Sequence, residues 1–246
     1  MLGLSSLKQH PFGVKAFFEY SLVLTYALPA DFLQTLLPTP LVVDRHEDMG
    51  CLAIALVKTR QLRPSGFPAF LGRDFFLSGY RIFCRLPLPE RRLRGLKILR
   101  SDTDSWLMLL LGNLLTHYCY RKISLRENRC SRFLELDIKS RDSGTDLSLR
   151  ADLNSSYLPE NSPFADWREA RKWCGPLPFT FSPDSRSQKT VVVEGQRSDW
   201  SPRPISVDIS RLSFFDTPKF AEVEPVLASA FFIENVDYAW KRGVLR

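Results

Sequence analysis

The chain has 246 residues, of which 44% are hydrophobic and 25% charged, and a net charge of +7. That length fits one large β-rich domain or two small ones, with a sizeable core, and the composition is too ordinary for extended disorder. No apolar run nears the roughly 20 residues of a membrane-crossing helix, and MLGLSSLKQHPFG lacks the charged-then-apolar order of a secretory leader. A single soluble, cytoplasmic domain over residues 1–246 is therefore expected.

In chain order, Ala30 to Leu37 has Phe32, Leu33, Leu36 and Leu37 at helical spacing between Pro29 and Pro38, and is read as a short helix. An extended piece, Leu41 to Val43, and a polar turn, Asp44 to Gly50, lead to the continuous apolar run Cys51 to Val57, the pattern of a strand buried on both faces. Gln61 to Gly72 holds two prolines and two glycines and reads as a loop. Phe75 to Leu86 reads as a strand interrupted at Ser78 and Gly79, followed by a basic connector, Pro87 to Arg94, and a short strand, Leu96 to Leu99.

Asp104 to Thr116 is rich in leucine with no β-branched residue before Thr116, which favours a helix capped by Asp102 or Asp104. Tyr118 to Leu125, Phe133 to Lys139 and Leu147 to Asp152 then read as strands. The latter two alternate apolar and polar residues across a turn at Ser140 to Gly144, as a half-buried hairpin does. Ser162 and Pro163 suit the start of a helix to Trp173. Strand signals return at Pro178 to Ser182, Thr190 to Glu194, Pro204 to Ile209 and Val226 to Trp240. Many antiparallel strands with two or three short helices make an α+β domain, built on a large curved sheet or partly closed barrel.

Several chemistries find no support in the sequence. Its three histidines, His10, His46 and His117, are scattered, and the five cysteines, Cys51, Cys84, Cys119, Cys130 and Cys174, form no CxxC pair. No metal is expected, and the thiols read as free and buried in a reducing compartment. There is no phosphate-binding glycine loop, no dinucleotide fingerprint and no nucleophile elbow, so no cofactor is expected. Arg85, Arg91, Arg92, Arg94, Lys97 and Arg100 crowd one stretch, but without interleaved aromatics for base stacking, which argues against nucleic acid.

The stretch Gly95 to Tyr120 concentrates polar groups around an apolar run. Lys97 sits between Leu96 and Ile98. A lysine in such surroundings either has a lowered pKa and acts as a Schiff-base nucleophile, or extends its stem from a strand edge into water. Asp102 and Asp104 share a face if extended, as paired carboxylates would, or serve as a turn and a cap. His117 is a general base or a hydrogen-bonded core histidine. Lys97 and His117 are thus the catalytic candidates, with Tyr80, Arg81, Arg100, Asp102 and Asp104 as candidate ligand-binding residues.

Five stretches, taken in order, resemble the YqjF-like uncharacterised family, distant relatives of acetoacetate decarboxylase. They are LPADFLQTLLPTPLVVD (Leu28 to Asp44), FFLSGYRIFCR (Phe75 to Arg85), the passage from RGLKILRSDTD to HYCYR, EARKWCGPLPFTFS (Glu169 to Ser182) and VVVEGQRSDWSPRPISV (Val191 to Val207). The resemblance implies a double-sheet, cone-like barrel around a small cavity. In the decarboxylase that cavity holds a Schiff-base lysine beside a second lysine. Here the pair falls at Arg92 and Leu93, and the decarboxylase arginine near the first strand falls at Ala27. Three functions are compatible: a cavity for a small organic acid or carbonyl compound, a Schiff-base enzyme using Lys97, or a basic module meeting an acidic partner or nucleic acid. Assembly of identical copies is left open.

Overall fold

The computed structural model describes residues 8–184 and 189–246. Residues 1–7, the start of the segment read for a leader, lie outside them. Long strands begin at once: β1 (Val14–Pro29) runs into helix α1 (Ala30–Thr35), and two-residue pairings β2 (Val42–Val43) and β3 (Arg45–His46) precede β4 (Met49–Pro64). Next come β5 (Arg73–Pro87) and β6 (Arg92–Thr103), then α2 (Trp106–Leu115). A meander follows: β7 (Tyr120–Arg129), β8 (Phe133–Ser140) and β9 (Leu147–Asp152). After α3 (Trp167–Cys174) come β10 (Phe179–Asp184), β11 (Lys189–Arg197), β12 (Arg203–Pro204), β13 (Ser206–Leu212), β14 (Val226–Trp240) and β15 (Val244–Leu245).

Seven strands form a ring in the order β6, β10, β11, β14, β1, β4, β5, and β5 pairs back onto β6 to close it. Its walls differ in strength. The antiparallel pairings β14–β1–β4–β5–β6 are long, whereas β10 meets β6 over three residue pairs and β11 meets β14 over three. The result is a ring-like sheet rather than a regular barrel. From the far end of β6 a second sheet, β7–β8–β9–β13, branches off and packs over the outside of the β1–β4–β5 wall.

This arrangement buries both faces of the wall. Outward, Leu22, Leu24, Leu52, Ile54 and Tyr80 pack with Leu134, Leu136, Ile138 and Leu149 of the branch and with Phe214 and Phe220. Inward, the same strands carry smaller side chains, including Ser21, Ala53 and Ala55, which leave the ring hollow. Alternation explains both faces between the register shifts, two of which bear on the cavity. Pairing shifts between Phe18 and Tyr20 on β1, and again opposite Tyr80 and Arg81, where Arg100 pairs with Tyr80 but Ile98 with Arg81. Each bulge flips the side chains beyond it.

Most expected elements are present, with corrected bounds. The strand expected at 51–57 begins at Met49 and runs to Pro64, into the proline-containing segment read as a loop. The strand expected at Leu96 to Leu99 is twelve residues long, so the basic connector shrinks to the turn where Leu88 N donates to Arg91 O. β1, among the longest strands, was not anticipated. The cap of α2 is Ser105, whose side chain accepts from Met108 N, and not Asp102 or Asp104. Asp166, accepting from Glu169 N, caps α3, while Ser162 instead donates to Ala228 O. All five cysteines are free. Cys51, Cys84 and Cys174 are buried as expected, whereas Cys119 and Cys130 are exposed.

Candidate functional site

The interior of the ring is a cavity of about 390 Å³. Its walls come from β1, β4, β5, β6 and β14, with α2 along one side and Cys174 to Leu177 along another. Phe18, Val23, Val57, Leu77, Phe83, Leu96, Ile98 and Phe231 make it largely apolar. Among the described residues no Asp or Glu lines it. Its charged lining residues are four arginines: Arg63, Arg73, Arg81 and Arg197.

Arg81 is the distinctive one. It lies mid-strand on β5, on the inward parity shared by Leu77 and Phe83. Among the described residues it has no ion pair, and its Nε is buried with no hydrogen-bond partner. Its electrostatic neighbours are the phenols of Tyr238, Tyr120 and Tyr118, all of which line the cavity. Burial pushes the guanidinium below its ordinary value, but an arginine starts so high that it stays charged at neutral pH. Burial likewise raises Tyr118 and Tyr120, so both phenols keep their protons and can donate.

Three glycines make room for this group. A Cβ on Gly79 would stand 2.9 Å from Arg81 Nε. One on Gly112 of α2 would meet the Tyr120 ring at 2.4 Å, and one on Gly195 would meet Tyr238 Oη at 2.3 Å. The interruption of the strand at Gly79 therefore marks the place where the Arg81 side chain folds back over its own backbone.

Arg81 alone of the seven candidates lines the cavity. Tyr80, its neighbour, points outward and stacks on Phe214 with ring centroids 4.3 Å apart. Lys97 does not line the cavity; Leu96 and Ile98 on either side of it do. It is largely buried on the other face near Cys84 and Cys119, and burial lowers its pKa. Beyond the bulge, Ser101 turns inward and Arg100 and Asp102 outward. Arg100 Nε donates to the fully buried Asp102 at 2.7 Å, and its Nη1 and Nη2 donate to Asp142 at 2.8 and 2.9 Å. Asp104 Oδ1 accepts from Phe76 N at 2.8 Å. The two aspartates thus hold structure separately and do not form a pair. His117 is half-buried beside Asp184 and Lys97, and burial lowers its pKa. The expected convergence of Lys97, Arg100, Asp102 and His117 on one cavity with Arg81 does not occur.

The residues absent from the sequence reading are Tyr120, Tyr238 and Arg197. Tyr238 and Arg197 lie more than a hundred residues from Arg81, and nothing local in their segments pointed to it. The crowded basic stretch is largely consumed: Arg85 and Arg94 both donate to buried Asp44, and Arg100 is paired as described. Among the described residues no cluster of His, Cys, Asp or Glu is suited to a metal.

Residues 16–236 match the model of the DUF2071 family, described as an uncharacterized conserved protein. The chain belongs to that family. This agrees with the YqjF-like resemblance of the five stretches. A search of curated proteins finds no match. Among solved structures, acetoacetate decarboxylase from Legionella pneumophila is similar with a TM-score of 0.62 at 10% identity, over 96% of this chain and 88% of that one. An acetoacetate decarboxylase-like enzyme from Sphingomonas wittichii RW1 gives 0.57 at 15% identity, over 96% and 92%. The enduracididine biosynthesis enzyme MppR, complexed with pyruvate, gives 0.58 at 11% identity, over 96% and 90%. The family member thus shares the acetoacetate decarboxylase-like fold.

Proposed function

We propose that this DUF2071 protein binds an organic monocarboxylate inside its ring, with the carboxylate on Arg81 and the apolar body against the surrounding wall. The observation that carries this reading is a guanidinium that, among the described residues, has no ion pair and stands in a cavity lined by no acid. A buried cation without a counter-charge is costly, and an entering carboxylate supplies both the charge and a bidentate acceptor. Tyr118, Tyr120 and Tyr238 stand where they can donate to the same anion. The apolar walls favour a carbon skeleton over a second charge, and few polar groups fix its orientation. Pyruvate, the ligand of one fold neighbour, is an acid of this kind.

The alternative of imine chemistry at Lys97 has no support from placement, because that amine and the cavity lie on opposite faces of β6. Isothermal titration with a series of linear and aromatic monocarboxylates, each beside its primary amide, tests the proposal. Acids are expected to bind and the amides to bind at least about tenfold more weakly, as loss of a charge-assisted pair dictates. Equal binding of acid and amide, or no binding of either series, would overturn it.

A further inference from the structure

Cavity-lining residues that are themselves exposed mark where a cavity opens. Here these are Phe12, Leu71, Arg73, Leu107 and Leu111, so the mouth lies between α2 and the segment around Leu71. The apolar surface continues outward from that rim. Trp106 is 65% exposed, Leu110 67% and Phe70 83%, with Phe67 and Leu114 also exposed. Helix α2, WLMLLLGNLL, is apolar apart from Asn113, yet Gly112 is its only buried residue. Such a helix is ordinarily enclosed on all sides, and an apolar patch of this extent marks an interaction surface.

The charges beside the patch say what covers it. Arg63 and Arg73 line the mouth, and Lys122 Nζ lies 5.7 Å from the Trp106 ring. None of these three has an ion-pair partner among the described residues. Of the neighbouring acids, Asp74 is paired with Arg60, and Asp104, which accepts from Phe76 N, leaves one negative charge beside three positive ones. A second copy docked face to face would set this net positive rim against itself. A protein partner seated over the patch would also close the entrance to Arg81. A fluid anionic surface does neither.

We propose that the face formed by α2 and Phe67 to Leu71 docks on an anionic lipid bilayer. Trp106, Leu110 and Phe70 enter the headgroup region while Arg63, Arg73 and Lys122 meet lipid phosphates. Resting on the monocarboxylate reading above, this makes the ligand class an amphiphilic acid drawn from the bilayer, tail towards the mouth and carboxylate on Arg81.

Co-sedimentation of the full chain with vesicles is the test. Vesicles of phosphatidylcholine mixed with phosphatidylglycerol should bind the protein, with a blue shift in tryptophan emission, and added salt should weaken binding. Phosphatidylcholine alone should bind it less. Leu110→Glu and Phe70→Glu should each lower partitioning about tenfold or more, since each removes the insertion of one large apolar side chain. Both should fold normally and still bind a short soluble carboxylate. Arg81→Met should retain vesicle binding and lose the carboxylate, which separates failure of docking from failure of the ligand reading. Absence of binding to the mixed vesicles would overturn the proposal. So would a dimer in light scattering that Leu110→Glu dissociates, which would assign the face to a second copy.

Discussion

The guanidinium of Arg81 lies against the backbone of Gly79, in space that any side chain at position 79 would occupy. The nearest atoms to a new Cβ are Nε and Nη2 of Arg81, at 2.9 and 3.0 Å, and these end a flexible side chain rather than a fixed backbone. Gly79→Ala is therefore expected to displace the guanidinium without unfolding the strand. Carboxylate affinity should fall about tenfold, the effect of misplacing one charge-assisted contact, with melting temperature changed little. Calorimetric titration and thermal melts of the same sample check both halves.

Arg81→Met should affect stability and binding in opposite directions. It removes a buried charge that no acid offsets, so the unliganded protein should gain roughly 1 kcal/mol or more, a rise of about 2–4 °C in melting temperature for a chain of this size. Carboxylate binding should fall by about 2–4 kcal/mol. A structural role for Arg81 predicts the reverse for stability. Differential scanning calorimetry with and without ligand distinguishes the two.

Reductive trapping should give no adduct at Lys97. Burial lowers its pKa, which favours imine formation, but the amine lies outside the cavity. Borohydride treatment with pyruvate or acetoacetate, followed by peptide mass spectrometry, is expected to find that lysine unmodified. An adduct there would place the reactive carbonyl on the outer face of β6.

Stability should fall in mild acid through His10. This buried residue has its pKa lowered by loss of solvent, and its Nδ1 has no hydrogen-bond partner among the described residues. Below about pH 6.5 the unfolded chain takes up a proton there that the folded chain resists. Its contribution is therefore flat above that pH and increasingly unfavourable from there down to the folded pKa. His117, lowered for the same reason, acts in the same window. His10→Asn, which suits the positive φ of 55° at this position, should flatten the dependence of melting temperature on pH between about 7 and 5.5 without abolishing it, His117 supplying the remainder.

The alternation of Leu134, Leu136 and Ile138 with charged residues was enough to find the outer sheet, because one face of it meets water. The ring wall was harder to read. β1 is buried on both faces from Tyr20 to Leu28, so it carries no period-two signal and no polar face to mark it. The strand interruption at Gly79 was visible, and Arg81, two residues on, is the candidate that lines the cavity. What misled was parity on β6. Lys97 is an apolar-flanked lysine in sequence, but its apolar neighbours face the cavity, so alternation turns it away. The extra residue at Leu99 then sends Arg100 and Asp102 outward as well. Two bonds decide the remainder, from Arg100 to Asp102 and from Phe76 N to Asp104, and both join residues whose contact only the folded sheet creates.

The pairing of β1 with β14 joins residues more than two hundred positions apart, such as Val14 with Trp240. During synthesis the wall on which Arg81 sits can assemble early, from β1, β4, β5 and β6, yet the hollow has no far side until the final long strand leaves the ribosome. Desolvation of the arginine is then expected to accompany that most non-local pairing, the kind that contact order makes slow. A carboxylate present at that moment offsets the cost as it arises, so the ligand is expected to speed closure of the ring as well as to hold it shut.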